Sequence, residues 1–136
     1  MEEKFKLTIR TPEQEICSHE VNSITLAGEG GEMQVFSNHA SLTATIAFTP
    51  VVVNHDNKEE HYLVRNGVFL FDNEKNTAIM LALNCTLKSK INKQTMQEYA
   101  KFIEEKLKAG KDLSELQITF LKGERLAVEQ EIEEVK

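Results

Sequence analysis

The residues of this chain with reactive or metal-binding side chains are spaced for neither catalysis nor metal binding. Cys17 and Cys85 are too few and too far apart for a disulfide framework or a metal-ligand pair. Each lies in an apolar stretch, so we expect a buried free thiol at both positions. His19, His55 and His61 are interpreted as surface residues, because no pairing of histidines with cysteines has the spacing of a metal site. The sequence therefore predicts no metal site and no cofactor.

Motifs of known catalytic chemistry are missing from the sequence as well. It contains no glycine-rich phosphate loop followed by Lys and Ser or Thr, and no nucleophile elbow. It also has no acidic residues at metal-ligand spacing. We therefore expect a protein that is not an enzyme, with any catalysis left to partner proteins.

Length and composition indicate one ordinary domain, or a small domain with a packed helical pair. The chain has 136 residues and 40% apolar residues, enough for a hydrophobic core. Its net charge of −6 disfavours nucleic-acid binding. No apolar run approaches the roughly 18 residues of a membrane span, and the acidic start differs from a signal peptide. We expect a protein that stays in a reducing compartment, on the synthesis side of the membrane.

The periodicity of apolar residues changes near residue 88. Before it, short segments alternate between apolar and polar residues, which predicts strands. Pro50 precedes the β-branched run Val51-Val52-Val53, which suits a strand, and Asn66-Gly67 is interpreted as a turn or bulge. The predicted strands are 5–10, 21–27, 33–36, 42–47, 51–53, 60–65, 68–71 and 77–83. With no helix between them, these strands should form a mainly antiparallel sandwich or barrel.

After residue 88, apolar residues recur at spacings of three and four, which predicts helices. Asn92 is a plausible N-cap for the first helix, and Gly110 ends it. The apolar stripe of this helix consists of Met96, Tyr99, Ile103 and Leu107.

A second helix begins at a capping box that starts with Asp112. Its stripe comprises Leu113, Leu116, Phe120, Gly123 and Ala127. The short connection makes the two helices an antiparallel hairpin. The sequence thus predicts an α+β fold: an antiparallel β-sandwich over residues 1–87 and a helical hairpin over residues 88–136. A hairpin this short is marginal alone, so it must pack on the β unit, on another subunit, or alternate between them.

Several segments carry a family resemblance. They are Thr11-Pro12-Glu13, Val21-Asn22-Ser23-Ile24, the run Gly-Glu-Met-Gln-Val-Phe-Ser-Asn-His-Ala-Ser-Leu at 31–42, and Val64-Arg65-Asn66-Gly67-Val68. In order and content they resemble the epsilon subunit of rotary F-type ATP synthases. Gln34 and Asn38 replace glycines of the family, and Ser37 and Ser41 replace prolines. These departures predict a reshaped loop around His39.

The resemblance implies a non-catalytic rotor subunit in the central stalk, peripheral at the cytoplasmic face of the bacterial inner membrane and not inserted in it. It implies stable binding to the gamma subunit and the c ring, and transient binding to the alpha and beta subunits. It further implies that the protein couples ring rotation, driven by protons or sodium, to ATP synthesis. The helical hairpin would lie folded on the sandwich or extend and inhibit ATP hydrolysis.

The resemblance assigns candidate residues to two of these contacts. Glu32, Ser37, Asn38 and His39 match positions at the loop that meets the c ring. Four lysines of the helical part are candidates for an inhibitory contact with the beta subunit: Lys101, Lys106, Lys108 and Lys111. Exposed ion pairs contribute roughly 0 to 1 kcal/mol each, so only a cluster of lysines would favour the extended state.

Some bacterial members of the family bind ATP near the start of the first helix. At the matching positions this chain has Asn92 for the acid, Thr95 for the arginine and Met96 for the alanine. With the charged phosphate ligand missing, no ATP binding is expected here. The alternative to the rotor subunit is a soluble β-sandwich that binds a ligand and dimerises through its helical tail.

Overall fold

The computed structural model describes residues 3–28, 30–110, 116–118 and 120. A sheet comes first in the chain and a helix follows, in the predicted order. The strands are β1 (Phe5–Arg10), β2 (Glu15–Val21), β3 (Ser23–Gly28), β4 (Gly31–Phe36), β5 (Leu42–His55), β6 (Lys58–Asp72) and β7 (Thr77–Leu87). A 3-10 turn at Lys88–Lys90 leads to helix α1 (Lys93–Lys108).

The described strands form one hydrogen-bonded sheet with the order β2-β1-β7-β6-β5-β3-β4. All neighbouring pairs are antiparallel except β1 and β7, which run parallel from Lys6 opposite Thr77 to Arg10 opposite Leu81. The mainly antiparallel arrangement predicted from the sequence is therefore confirmed.

The sheet folds over on itself to form a sandwich. Leu7 and Ile9 of β1 and Ile24 and Leu26 of β3 come from opposite sides of the strand order, yet they lie in one buried cluster. All four side chains are fully buried. The two halves of the sheet therefore face each other across this core, as aligned layers do in a β-sandwich.

The prediction of two separate strands at 42–47 and 51–53 is wrong, because β5 continues through Pro50. Backbone pairing of β5 with β3 extends only from Asn54 to Val52. Beyond it, the Ala27 amide of β3 donates to the Thr49 hydroxyl at 3.1 Å. Pro50 therefore lies where no donor to β3 is required, which is where a strand tolerates proline.

Of the turn or bulge predicted at Asn66-Gly67, the turn is wrong, because β6 runs through both residues. Asn66 has a left-handed backbone with a φ of 53°, but the pairing register with β5 and β7 is the same on both sides of it. A Cβ on Gly67 would lie 2.6 Å from the Leu81 carbonyl oxygen. Glycine is therefore required at position 67 because β7 approaches closely, not because the chain turns there.

Strand β2 was missed in the sequence because only its inward residues carry the signal. Cys17 and Val21 are buried, whereas Ser18 and Glu20 are exposed and His19 is half-buried. This strand is at one edge of the sheet order. A short polar edge strand has a weak apolar alternation, so its pattern resembles that of a loop.

Helix α1 begins and ends as predicted. The Asn92 side chain accepts a hydrogen bond from the Thr95 amide at 2.8 Å, and Gly110 follows the helix with a φ of 74°. Met96, Tyr99 and Ile103 are buried, but Leu107 is 56% exposed. The prediction for Leu107 is therefore wrong: the last turn of the helix extends past the cluster that buries the other three.

Helix α1 packs on the outer side of β5 and β6. Its buried residues share a cluster with Phe48 and Leu63. Leu63 and its neighbour Val64 belong to different clusters, because successive side chains of a strand point to opposite faces. Phe120 belongs to the same cluster as α1, so the helical part is docked on the sandwich.

Part of the helical prediction falls outside the described residues. Residues 116–118 and 120 are helical, and Leu116 is half-buried. The capping box at 112–115, Gly123 and Lys111 lie outside the described part of the chain. In the part that is described, no helix has both the length and the apolar character needed to cross a membrane.

Candidate partner-binding surfaces

The outer surface of β6 and β7 carries a row of apolar side chains. Leu81 is 42% exposed and Leu83 is 60% exposed, whereas the alternate residues Met80 and Ala82 are buried in the core. The sheet register places Val68 opposite Leu81 and Leu70 opposite Ile79. We call this surface, made of the outward side chains, the β6–β7 face: Val68, Leu70, Ile79, Leu81 and Leu83.

Polar residues border the β6–β7 face on both sides. On β1, Thr8 pairs with Ile79 and Arg10 pairs with Leu81. On β5, Thr43 pairs with Leu70 and Thr45 pairs with Val68, and both threonines are exposed. An apolar centre with a polar border is typical of a protein–protein interface.

The sequence contains a signal for this face. Residues 77–83 read Thr-Ala-Ile-Met-Leu-Ala-Leu, with apolar side chains at successive positions. Such a run is typical of a strand whose two faces are both covered. The sandwich covers one face of β7, which makes the other face a candidate partner surface.

The loop between β4 and β5 holds three of the residues matched to the c-ring contact. Asn38 has a φ of 63°, a left-handed conformation that Asn tolerates almost as glycine does. Its backbone amide donates to the Asn76 side-chain oxygen at 2.6 Å. Asn76 also donates to the Ser37 hydroxyl at 3.0 Å, and Asn73 donates to the Asn38 carbonyl at 3.1 Å. The turn between β6 and β7 therefore holds this loop in one shape.

His39 is anchored within the same loop. Its Nδ1 lies 2.7 Å from the Ala40 carbonyl oxygen, and its ring packs edge-on against Phe71 with centroids 5.9 Å apart. The side chain is half-buried, and Phe36 at the end of β4 is 54% exposed beside the loop. The imidazole is thus held at the surface, with one of its nitrogens already close to a backbone acceptor.

Glu32 does not lie with the other three residues. It is the second residue of β4, near the turn that joins β3 to β4, whereas Ser37 follows the last residue of that strand. Four residues of strand separate Glu32 from Phe36 by about 13 Å. The structure therefore places the four matched residues at the two ends of β4.

Polar contacts surround the cluster beneath α1. Arg65 Nη1 lies 2.7 Å from Glu98 Oε2, and the same guanidinium lies 5.0 Å from the centre of the Phe48 ring. The Tyr99 hydroxyl donates to the Gln117 carbonyl at 3.2 Å, and Gln117 Nε2 donates to the Phe48 carbonyl at 3.4 Å. Burial raises the pKa of Tyr99 above its usual range. The local sequence gives no signal for this role at Arg65 or Gln117.

The lysines matched to the inhibitory contact are spread around α1. Lys101 and Lys108 are exposed, and Lys106 is half-buried. A separation of seven residues returns to nearly the same helix face, whereas five residues turn by about 140°. Lys106 and Lys108 also lie in the last turn, where positive charge is favoured by the helix dipole.

The positions matched to the ATP motif build the start of α1. Asn92 caps the helix by accepting the Thr95 amide. Met96 is 6% exposed and packs in the cluster beneath the helix. These side chains have local structural roles in the described structure.

The structure brings together histidines that the sequence left apart. His19 of β2, His55 of β5 and Glu60 of β6 offer ligand atoms that all lie within 4.8 Å of one another. The pKa of Glu60 is lowered, mainly because the carboxylate accepts a hydrogen bond from the Tyr62 hydroxyl. Burial acts in the opposite direction, and the contact with His55 lowers the pKa further. Sequence spacing missed this group because the three residues are far apart in the chain or on separate strands.

The two cysteines are free thiols. Cys17 is buried, as predicted, and burial raises its pKa to about 11. Cys85 is half-buried rather than buried, and desolvation raises its pKa to about 12. Both thiols are therefore protonated near neutral pH and poorly suited to act as nucleophiles.

Comparison with known proteins gives a consistent result for the sandwich. Residues 4–82 match the family described as ATP synthase, Delta/Epsilon chain, beta-sandwich domain. The ATP synthase epsilon chain of Geotalea uraniireducens (strain Rf4) is 29% identical over 80 residues, which are 59% of this chain and 58% of that protein. The epsilon chain of Mesorhizobium japonicum is 37% identical over 68 residues, which are 49% of this chain and 50% of that protein. The chain thus spans about half to three-fifths of the length of these relatives.

Two solved structures share the fold. One is a chain of the Euglena gracilis mitochondrial ATP synthase OSCP/F1/c-ring assembly, with a TM-score of 0.60 and 19% identity over 85% of this chain and 72% of that chain. The other comes from the Tetrahymena thermophila mitochondrial ATP synthase central stalk and c ring. It has a TM-score of 0.59 and 14% identity, and the match covers 88% of this chain and 98% of that chain. At these identities the likeness is one of fold.

Proposed function

This chain belongs to the ATP synthase delta/epsilon chain family, and from that premise we propose that it is the epsilon-type subunit of the central stalk of an F-type ATP synthase. In this role it has no catalytic site, and ATP is made at sites on other subunits. Its sandwich, residues 1–87, links the gamma subunit to the c ring, and residues 88–136 regulate the enzyme. The subunit is peripheral, held at the cytoplasmic face of the membrane through the c ring.

The β6–β7 face is the observation that carries this proposal. Leu81 and Leu83 present apolar surface outward from a strand whose other side is the sandwich core. Covering such surface with a partner removes it from water, which contributes about 25 cal/mol for each square ångström. The gamma subunit is the partner of the rotor that this surface binds.

The loop between β4 and β5 is the proposed contact with the c ring. Hydrogen bonds of the Asn73 and Asn76 side chains with Ser37 and Asn38 hold its shape. Ser37, Asn38 and His39 thereby present polar groups at one end of the sandwich. A loop held from two sides can transmit force between the ring and the sandwich. Glu32, at the other end of β4, contributes a separate contact.

The helical part is the proposed regulator. In the described structure α1 is docked on β5 and β6 through Met96, Tyr99 and Ile103. Release of this helix would expose its apolar stripe and bring Lys101, Lys106 and Lys108 within reach of the alpha and beta subunits. Inhibition of ATP hydrolysis then depends on how often the helix leaves the sandwich, as in a population shift between two docking surfaces.

Binding to gamma tests the proposal most directly. The purified full-length chain is mixed with the gamma subunit of the same organism, and their affinity is measured by isothermal titration calorimetry. We expect the wild-type chain to form a one-to-one complex with gamma. The double variant Leu81→Asp, Leu83→Asp should bind gamma much more weakly, because the two aspartates would be buried as unpaired charges at an apolar interface.

Leu107→Asp is the matched control, since Leu107 is 56% exposed on α1. This variant should bind gamma like the wild type. The proposal fails if the wild-type chain does not bind gamma, or if both variants bind equally well while remaining folded by circular dichroism.

The ligand-binding module with a helical dimerisation tail makes a different prediction. It requires the apolar stripe of α1 for self-association, whereas the structure buries Met96, Tyr99 and Ile103 against the sheet. Sedimentation equilibrium separates the two proposals: the rotor subunit is a monomer before gamma is added, and the module is a dimer.

A further inference from the structure

Three side chains of types that bind metal ions converge at one corner of the sandwich. His19 lies in β2, His55 is the last residue of β5, and Glu60 lies near the start of β6. One ligand atom from each lies within 4.8 Å of the other two. β2 and β5 are not neighbours in the sheet order, so the group spans from one part of the folded sheet to another.

The separations within the group are close to those of a metal site. His55 Nε2 lies 2.6 Å from Glu60 Oε1, and the rings of His19 and His55 meet edge-on with centroids 4.7 Å apart. Around a tetrahedral zinc ion, with ligands about 2.0–2.2 Å from the metal, neighbouring N and O ligand atoms lie roughly 3.3–3.6 Å apart. Side-chain rotations that move the ligand atoms by about an ångström therefore suffice to bring these three atoms around one ion.

Neighbouring residues hold two of the three ligands. The Tyr62 hydroxyl donates to Glu60 Oε2 at 2.5 Å, which leaves Oε1 directed at His55. Cys17 Sγ lies 3.4 Å from His19 Nδ1. Partners of this kind orient metal ligands and contribute to affinity. Tyr62 is 3% exposed, so this support comes from a side chain that is itself fixed by packing.

From this geometry we propose that His19, His55 and Glu60 bind one divalent transition-metal ion, with zinc as the best match. Two imidazoles and a carboxylate are ligands that suit zinc, whereas magnesium and calcium take oxygen ligands. Three protein ligands leave a fourth position for water. The ion links β2 to the hairpin of β5 and β6, and this site is independent of the proposed rotor function.

The test uses the full-length chain after removal of metals with EDTA. Zinc chloride is titrated into it in a calorimeter, and magnesium chloride serves as the control for non-specific binding. We expect one zinc ion for each chain, no heat of binding with magnesium, and a rise in melting temperature when zinc is present, because the ion binds only the folded chain.

Single variants locate the site. His19→Ala and His55→Gln should each weaken zinc binding by at least about tenfold, and Tyr62→Phe by about tenfold through loss of the bond that orients Glu60. His61→Gln is the matched control: His61 lies in the same strand as Glu60 and pairs with Glu59 at 3.1 Å, outside the group. It should bind zinc like the wild type.

Cobalt substitution identifies the ligand set. The cobalt-loaded chain should show the visible bands of a four-coordinate site and no thiolate charge-transfer band, and Cys17→Ser should leave the spectrum unchanged. The proposal is overturned by an absence of zinc binding, by binding that His55→Gln leaves intact in a folded chain, by equal loss in His61→Gln, or by a thiolate band that disappears in Cys17→Ser.

Discussion

The core inside the sandwich and the cluster beneath α1 differ in the number of buried side chains and in the polar contacts at their borders. In the described residues, the first contains nineteen buried side chains drawn from all seven strands. The second contains six, and it is bordered by the polar contacts of Arg65 with Glu98 and Tyr99 with Gln117. Each buried apolar side chain contributes roughly 1.5–3 kcal/mol. The sandwich therefore has the larger buried core, and the proposed regulation requires that the helix leave it while the sheet stays folded.

This difference matches the two roles in the proposed function. A unit that transmits torque requires a core that does not open, and a regulator requires an interface that does. Elements that move are drawn from the less stable parts of a protein. The following substitutions test the contrast, beginning with the largest expected effect.

Phe69→Ala should destabilise the whole sandwich. Phe69 is fully buried in the larger core, and removal of a buried Phe side chain costs about 3–5 kcal/mol. Urea denaturation followed by far-ultraviolet circular dichroism measures this loss. If only the helical signal changed while the strands kept their stability, the sandwich would not be the more stable unit.

Ile103→Ala should act on the helix alone. Ile103 is 1% exposed in the smaller cluster, and its truncation should lower the free energy of helix release by about 2–5 kcal/mol. Native-state hydrogen exchange should show lost protection in α1 and unchanged protection in β1 and β7.

Leu107→Ala is the control for this experiment, because Leu107 is on the same helix and is 56% exposed. Its effect should stay within about 0.5 kcal/mol. Equal loss of protection in the helix and in the central strands of the Ile103 variant would mean that the two regions unfold together.

Gly67→Ala should weaken the sheet between β6 and β7. The added Cβ would lie 2.6 Å from the Leu81 carbonyl oxygen and 3.1 Å from Ala82, and such overpacking costs about 1–3 kcal/mol. Gly30→Ala is the control, since nothing lies within 4 Å of a Cβ there. Urea midpoints of the two variants measure the difference, and equal midpoints would contradict the close approach of β7.

The order of the elements and most of the inward residues could be predicted from the sequence. Alternation of apolar and polar residues predicts that Phe5, Leu7 and Ile9 of β1 face inward. Apolar spacings of three and four predict the same for Met96, Tyr99 and Ile103 of α1. Both patterns follow directly from strand and helix geometry. The cap at Asn92 was also predictable, because its hydrogen bond reaches only three residues along the chain.

The predictions failed where tertiary pairing overrides a local signal. Pro50 reads as a break, but it lies where β5 has lost its backbone pairing with β3. Asn66-Gly67 reads as a turn or bulge that separates two strands, but β6 continues through it and Gly67 is required by the approach of β7. Both errors divide strands that are long in the structure, and neither cause is visible in the local sequence.

The candidate sites were less predictable than the fold. The outward row of Leu81 and Leu83 was present in the sequence as a continuous apolar run, but its meaning depends on which face the sandwich covers. The convergence of His19, His55 and Glu60 depends on the folding of the sheet over itself. Such sites are set by topology, since spacing along the chain does not specify distance in space.

Arg65→Gln is expected to have the smallest effect on the free energy of helix release, and it tests how much the polar contacts at the border of the cluster contribute to docking. The substitution removes the ion pair with Glu98 at 2.7 Å and the contact of the guanidinium with the Phe48 ring at 5.0 Å. Both charged side chains are about two-fifths exposed, so the pair contributes at most about 1 kcal/mol, with about 0.5–1 kcal/mol from the aromatic contact. A change of about 1 kcal/mol alters the ratio of docked to released helix roughly fivefold.

Hydrogen exchange of α1 at low and high salt measures this effect. The loss in Arg65→Gln should shrink at high salt, because exposed ion pairs are screened, while any loss from the aromatic contact should remain. A double-mutant cycle with Glu98→Gln isolates the ion pair, and Arg65→Lys keeps the charge but loses the planar group. If the cycle gave no coupling energy and Arg65→Lys matched Arg65→Gln, the ion pair with Glu98 would not hold the helix, and salt would not regulate its release.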